Sequence, residues 1–178
     1  YDKLNAAYAY GGPDLALQTI NQNFDTTITD YITIDFNAMV SMVNAVGGVT
    51  IDIETEEELD WVNEYLMDVN EKVATGSPFL EETGSQLVDG SQALAYCRVR
   101  YVGDGDFDRT LRQRVVFEQV LSKALDLELK EQYNLVMATL PYVETSLSTI
   151  EMIKYGGNLA LMPSKDIEQS RFPTDELI

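Results

Sequence analysis

Apolar residues change their spacing several times along the chain, and each change predicts an element. Leu17, Ile20 and Phe24 recur at helical spacing behind Pro13, whose fixed φ suits a first helical position. A helix is therefore predicted from Pro13 to Phe24, with those three residues as its buried stripe. The next stretch, Y-I-T-I-D-F, is alternating and β-branched, which predicts a strand. Asn37 is the candidate N-cap of A-M-V-S-M-V-N-A-V, and Gly47-Gly48 supplies the stop. V-T-I-D-I predicts a second strand, and strand, helix and strand in this order point to an α/β layer.

From Glu54 to Gly84 the pattern becomes acidic and irregular, with a short helix around Glu57 to Val69 and a loop through T-G-S-P. Asp89-Gly90 marks a turn, after which Ser91 is placed to cap a short helix, S-Q-A-L-A-Y. A long helix is predicted from Thr110 to Leu129, with further helices from Gln132 to Tyr142 and Thr149 to Leu161. The tail S-K-D-I-E-Q-S-R-F-P reads as a closing strand. No repeat or shift in composition marks a second domain. With 178 residues and 45% apolar content, residues 1–178 read as one domain around one core. The chain opens at Tyr1 without an initiator Met or a signal-type stretch, which suggests a segment of a longer protein.

Charge narrows the function. A formal net charge of −18 repels a polyphosphate backbone, so binding to nucleic acid driven by counterion release is not expected. The chain has no histidine, which removes Ser-His-Asp and Cys-His catalysis and the usual imidazole-bearing metal sites. Any metal should be hard and oxygen-liganded. Cys97 is the single cysteine, and its setting, A-L-A-Y-C-R, reads as a small buried hydrophobe.

Against that acidic background, five of the six arginines fall within R-V-R-Y-V-G-D-G-D-F-D-R-T-L-R-Q-R, from Arg98 to Arg114. So tight a cluster in an acidic chain suggests a multiply charged anion that needs several fork-shaped donors. Arg98 and Arg100 are two apart, so an extended segment would point both the same way. Arg109 and Arg112 are three apart and would share a helix face. The intervening G-D-G-D-F-D loop brings carboxylates between the arginines, with Asp106 the central candidate for holding Mg²⁺ against a pyrophosphate. The loop is not an EF-hand, because Arg109 takes the glycine position and Val115 that of the bidentate Glu. Lys3 and Asn5 add a cation and an amide ahead of Gly11-Gly12.

Four stretches occur in one order over residues 2–115: D-K-L-N-A-A-Y-A-Y-G-G, F-N-A-M-V-S-M-V-N-A-V-G-G-V-T-I-D-I, L-V-D-G-S-Q-A-L-A-Y-C-R-V-R and G-D-F-D-R-T-L-R-Q-R. Together they resemble the LytR-CpsA-Psr family of bacterial cell-wall proteins. The resemblance implies an α/β fold, an α-β-α sandwich with a mixed central sheet flanked by helices. It also implies a membrane-anchored, extracytoplasmic phosphotransferase that moves a glycopolymer from a polyprenyl-pyrophosphate carrier to peptidoglycan. Teichoic acid and capsular polysaccharide are the cargo it suggests, and the anchor to the bacterial membrane would lie outside this chain.

Position by position, the resemblance makes Arg98 and Arg100 the paired pyrophosphate-binding arginines and Lys3 the lysine of the K-L-N motif, beside Asn5. Asp106 becomes the Mg²⁺-associated aspartate, and Arg109, Arg112, Gln113 and Arg114 line the head-group site. Arg98, Arg100, Asp106 and Arg109 are thus the catalytic candidates, and Lys3, Asn5, Arg112, Gln113 and Arg114 bind substrate. A tunnel for the lipid would be lined by Phe36, Met39, Val40, Val43, Phe117, Val120 and Leu121. Two departures stand out. Asp108 replaces a glycine that the family usually carries, and the strands that normally precede the K-L-N motif are missing from this chain. Rival functions are a non-catalytic polyprenyl-phosphate binding module, a lipid pyrophosphatase and a transcriptional attenuator. The last is opposed by the lack of a helix-turn-helix signature or basic face.

Overall fold

The computed structural model describes residues 2–148, 150–152 and 154–155. Helices dominate: α1 (Ala6–Phe24), α2 (Phe36–Ala45), α3 (Glu56–Lys72), α4 (Gly90–Arg98), α5 (Asp106–Asp126) and α6 (Leu129–Thr139). Four short strands accompany them: β1 (Ile32–Ile34), β2 (Val49–Ile53), β3 (Gly84–Val88) and β4 (Val143–Thr145). Most of the predicted helix from Thr149 to Leu161, and the whole of the predicted closing strand, lie outside the described residues.

The core forms where β2 alternates and α3 repeats. Val49, Ile51 and Ile53 are buried while Thr50 and Asp52 face out. Leu59, Val62, Leu66 and Val69 form the apolar stripe of α3, which begins one residue before and ends three residues after the helix predicted from Glu57 to Val69. Between them α4 is buried from Gly90 to Cys97. Gly90 lies against α2 so closely that a Cβ there would overlap the Val40 backbone, and its N–H donates to Asn44 Oδ1 at 2.8 Å. Gly90→Ala should push α2 and α4 apart and cost about 1–3 kcal/mol, read as a lowered urea midpoint at unchanged m-value.

Helix ends differ from expectation in a consistent way. Asp35, not Asn37, caps α2 by accepting the Ala38 N–H, and Asp89, not Ser91, caps α4 in a capping box with Gln92. Each aspartate stands two residues before the expected cap, and its carboxylate reaches the orphan N–H groups first. The stop of α2 is as expected: Gly47 N–H donates to Asn44 O and Gly48 N–H to Val43 O, a Schellman arrangement at positive φ. By contrast α1 begins at Ala6, kinks at Gly11 and Gly12 and contributes no buried residue, so Leu17 and Ile20 are only half-buried and Phe24 is exposed.

The strands do not pair as their order suggested. β1 joins β4 (Ile32 opposite Thr145) and β2 joins β3 (Val49 opposite Val88), both antiparallel and in separate sheets. On the outer edge of β2, α5 takes the place of a neighbouring strand. The Gln119 carboxamide accepts from Thr50 N–H at 2.8 Å and donates to Thr50 O at 2.6 Å, while Lys123 Nζ donates to Gly48 O. This fixes α5 across the sheet and so sets the position of its arginine-bearing first turns. Among the described residues no helix is long and apolar enough to cross a membrane.

Candidate functional site

Arg98 is the last residue of α4 and Arg100 lies just beyond its end, so the two are not on one extended segment. They nevertheless meet Arg109 and Gln113 on the wall of one pocket of about 530 Å³. Arg98 is the most constrained. Its Nη1 lies 2.6 Å from Asp68 Oδ2, and its guanidinium sits over the Phe36 and Tyr65 rings at 5.2 and 5.1 Å. Lys72 shares the Asp68 carboxylate at 2.9 Å. Hydrogen bonds from Lys72 and then Arg98 hold that carboxyl below its ordinary range, so it stays ionised at neutral pH.

Asp106 opens α5, where a carboxylate favours the helix dipole, and Gly105 before it adopts φ 61° and ψ −111°, a conformation open to glycine. Helix α5 thus begins four residues earlier than predicted. Three cations converge on Asp106: Arg109 at 3.3 Å, Lys3 at 3.8 Å and Arg100 at 3.9 Å. Asn5 stands at the N-cap position of α1 but its side chain makes no capping hydrogen bond. Arg109 Nε and Arg114 Nε are buried without an acceptor among the described residues, a costly state.

Two expected members of the cluster lie elsewhere. Arg112 follows Arg109 by three residues on α5, as expected, but its side chain turns into the core, where its Nε and Nη2 each lie 2.7 Å from Glu58 Oε1 and its guanidinium lies over the Tyr96 ring. Asp108 is helical, and its Oδ2 accepts the Asp104 N–H at 2.8 Å, closing the loop at Gly103 instead of facing the arginines. Asp106 is therefore the carboxylate of the loop that faces the arginines. Among the described residues no group of three His, Cys, Asp or Glu could hold a metal alone. A single carboxylate is compatible with Mg²⁺, which is usually held by one or two carboxylates, with water and substrate phosphate completing its shell.

An apolar cavity of about 420 Å³ adjoins this pocket, between α2 and α5. Phe36, Cys97, Arg98 and Gln113 line both spaces. Five of the seven expected tunnel residues line the cavity, namely Phe36, Met39, Val43, Phe117 and Val120, and so does Arg114. Val40 packs in the core and Leu121 is half-buried away from the wall. Burial pushes the Cys97 thiol up to about 12, which excludes it as a nucleophile at neutral pH. Sequence reading missed Asp68, Tyr65, Glu58 and Trp61, all on α3.

The profile of the LytR_cpsA_psr family matches residues 1–178. The chain is 36% identical over 157 residues to Biofilm regulatory protein A of Streptococcus mutans, covering 84% of this chain and 36% of that protein. It is 33% identical over 156 residues to the polyisoprenyl-teichoic acid–peptidoglycan teichoic acid transferase TagU of Enterococcus faecalis, covering 86% of this chain and 46% of that one. Among solved structures, protein gbs0355 of Streptococcus agalactiae superposes with a TM-score of 0.70 at 31% identity, over 86% of this chain and 50% of that one. TagT bound to LI-WTA gives 0.68 at 23% identity, over 92% and 56%, a likeness of fold. The chain spans half or less of the length of these two sequence relatives.

Proposed function

The chain belongs to the LytR_cpsA_psr family, and on that footing we propose that it carries the donor site of a glycopolymer phosphotransferase. The donor is a polyprenyl-pyrophosphate-linked cell-wall polymer, such as teichoic acid or capsular polysaccharide, and the acceptor is peptidoglycan. The setting is extracytoplasmic, in a protein held at the bacterial membrane. One observation carries this reading: the arginine pocket adjoins an apolar cavity, and Phe36, Cys97, Arg98 and Gln113 line both. Charge for a pyrophosphate and a greasy slot for its lipid are thus contiguous. The relative TagU is named a polyisoprenyl-teichoic acid–peptidoglycan teichoic acid transferase, which supports the reading.

In the reaction an acceptor hydroxyl oxygen bonds to the polymer-side phosphorus, the bond from that phosphorus to the bridging oxygen breaks, and lipid monophosphate leaves. The hydroxyl proton is lost as the phosphodiester forms. Arg98, Arg100 and Arg109 act by position, neutralising charge that grows on the departing phosphate, and Lys3 adds to that field. Asp106 would hold Mg²⁺, which when bound supplies further charge neutralisation at the phosphates. Arg114 lies in the cavity wall, placing its guanidinium beside the lipid slot.

Titrating a short-chain polyprenyl pyrophosphate into the complete extracytoplasmic protein should show tighter binding with Mg²⁺ present, and Asp106→Ala should remove that dependence. The same protein given lipid-linked polymer and peptidoglycan should form a phosphodiester. Monophosphate release without polymer transfer would instead mark a lipid pyrophosphatase. Neither transfer nor release would leave a binding module.

A further inference from the structure

We propose that Tyr101, seated on Trp61, is a stacking platform for the saccharide ring bonded to the pyrophosphate. The proposal rests on the donor-site reading above and adds to it the part of the donor that the arginines do not address.

Tyr101 follows Arg100 directly and lines the arginine pocket, but not the apolar cavity. Its side chain is 65% exposed, a large aromatic surface left open in a loop. It is not adrift. Its ring lies on Trp61 with centroids 4.6 Å apart and planes at 38°. One side of the ring is thereby fixed against the protein while the residue still borders the pocket. An aromatic ring held in this way offers broad, rigid contact area with little ordering cost on binding. A hexose ring presents a face of C–H groups that suits such a surface, whereas the guanidinium forks of this pocket suit phosphate oxygens.

The arrangement of the parts points to the saccharide of the donor. Trp61, Tyr65 and Asp68 stand at i, i+4 and i+7 on α3, so one helix face supports the whole arrangement. Asp68 and Tyr65 hold the Arg98 guanidinium, and Trp61, one turn further toward the N-terminus, holds Tyr101. From Asp68 to Trp61 the helix rises about 10 Å. Arg98 lines both the apolar cavity and the arginine pocket, whereas Tyr101 borders the pocket and not the cavity, an arrangement that matches lipid, pyrophosphate and sugar. An acceptor hydroxyl must also approach the polymer-side phosphorus in line with the leaving oxygen, so a probe that carries the donor's own sugar and no acceptor separates the two.

The test compares two probes on the complete extracytoplasmic protein by isothermal titration: a short-chain polyprenyl pyrophosphate, and the same lipid bearing one N-acetylhexosamine. The sugar-bearing probe should bind about tenfold tighter, the scale of one aromatic stacking contact. Tyr101→Ala should bring that ratio to roughly one and Tyr101→Phe should keep it, because stacking needs the ring and not the hydroxyl. Arg98→Ala should weaken both probes and preserve their ratio. A sugar preference that survives in Tyr101→Ala, or that is absent from the parent protein, overturns the platform while leaving the donor site standing. If neither probe binds the parent protein, the donor-site reading fails and the platform fails with it.

Discussion

Arg98→Ala should lower glycopolymer transfer to peptidoglycan by about 10²–10³-fold, the loss typical of removing one positioned donor from a preorganised site. Arg98 is the arginine for which a loss that large is expected, because its surroundings have already restricted it. Asp68 fixes one edge of its guanidinium at 2.6 Å, and Phe36 and Tyr65 flank the plane at 5.2 and 5.1 Å. Arg100 and Arg109, at 3.9 and 3.3 Å from Asp106, make looser pairs. A guanidinium held in this way meets developing phosphate charge without reorganising, and little water or side-chain entropy must be displaced when the reaction begins. Arg98→Lys should recover less than a tenth of the lost rate, because an ammonium neither fills the aromatic sandwich nor presents a fork. Rates measured with lipid-linked polymer and isolated peptidoglycan decide the matter. Transfer within about threefold of the parent in Arg98→Ala would remove Arg98 from the group of residues that act on the leaving phosphate.

Much of this site was legible because its residues are close in sequence. The cluster from Arg98 to Arg114 marked the pocket, and Arg98, Arg100, Arg109 and Gln113 do line it. The alternation in V-T-I-D-I and the glycine stop of α2 were equally local signals, and both hold. What failed to show was the support from α3. Its run of Glu56, Glu57 and Glu58 at the first turn looked like an irregular acidic stretch, yet acidic residues suit a helix N-terminus and Thr55 caps this one. A helix was expected there, around Glu57 to Val69, and the spacing of Leu59, Val62, Leu66 and Val69 was the signal that could have given its buried face. No spacing, however, could reveal that Asp68 would meet Arg98, 30 residues away, or that Glu58 would take Arg112 out of the cluster. Those are facts of packing between α3, α4 and α5. The strand pairing was hidden for a related reason: order along the chain does not say that Gln119, from α5, will occupy the edge of β2.

Glu58→Ala should destabilise the protein by about 3–5 kcal/mol, a large part of the stability of an ordinary domain. Glu58 and Arg112 are 3% and 7% exposed. Oε1 of Glu58 receives both Arg112 Nε and Nη2 at 2.7 Å, and Oε2 accepts the Glu54 N–H at 3.0 Å. Removing the carboxylate leaves a buried guanidinium with the Tyr96 ring and a long contact of 3.5 Å to Val99 O as its remaining partners. The pair itself contributes far less than that loss, since burying two charges costs nearly what their attraction returns. Combining Glu58→Met with Arg112→Leu should therefore restore most of the stability, with urea denaturation of the single and double variants as the measurement. The double variant also separates two roles for Arg112. If Arg112 is a core residue, as its geometry says, the restored protein should bind polyprenyl pyrophosphate within a few-fold of the parent, since the charges facing the pocket are intact. If Arg112 is a head-group ligand, as the family resemblance implied, binding should fall by a hundredfold or more although the fold has recovered, the cost of losing a charged partner.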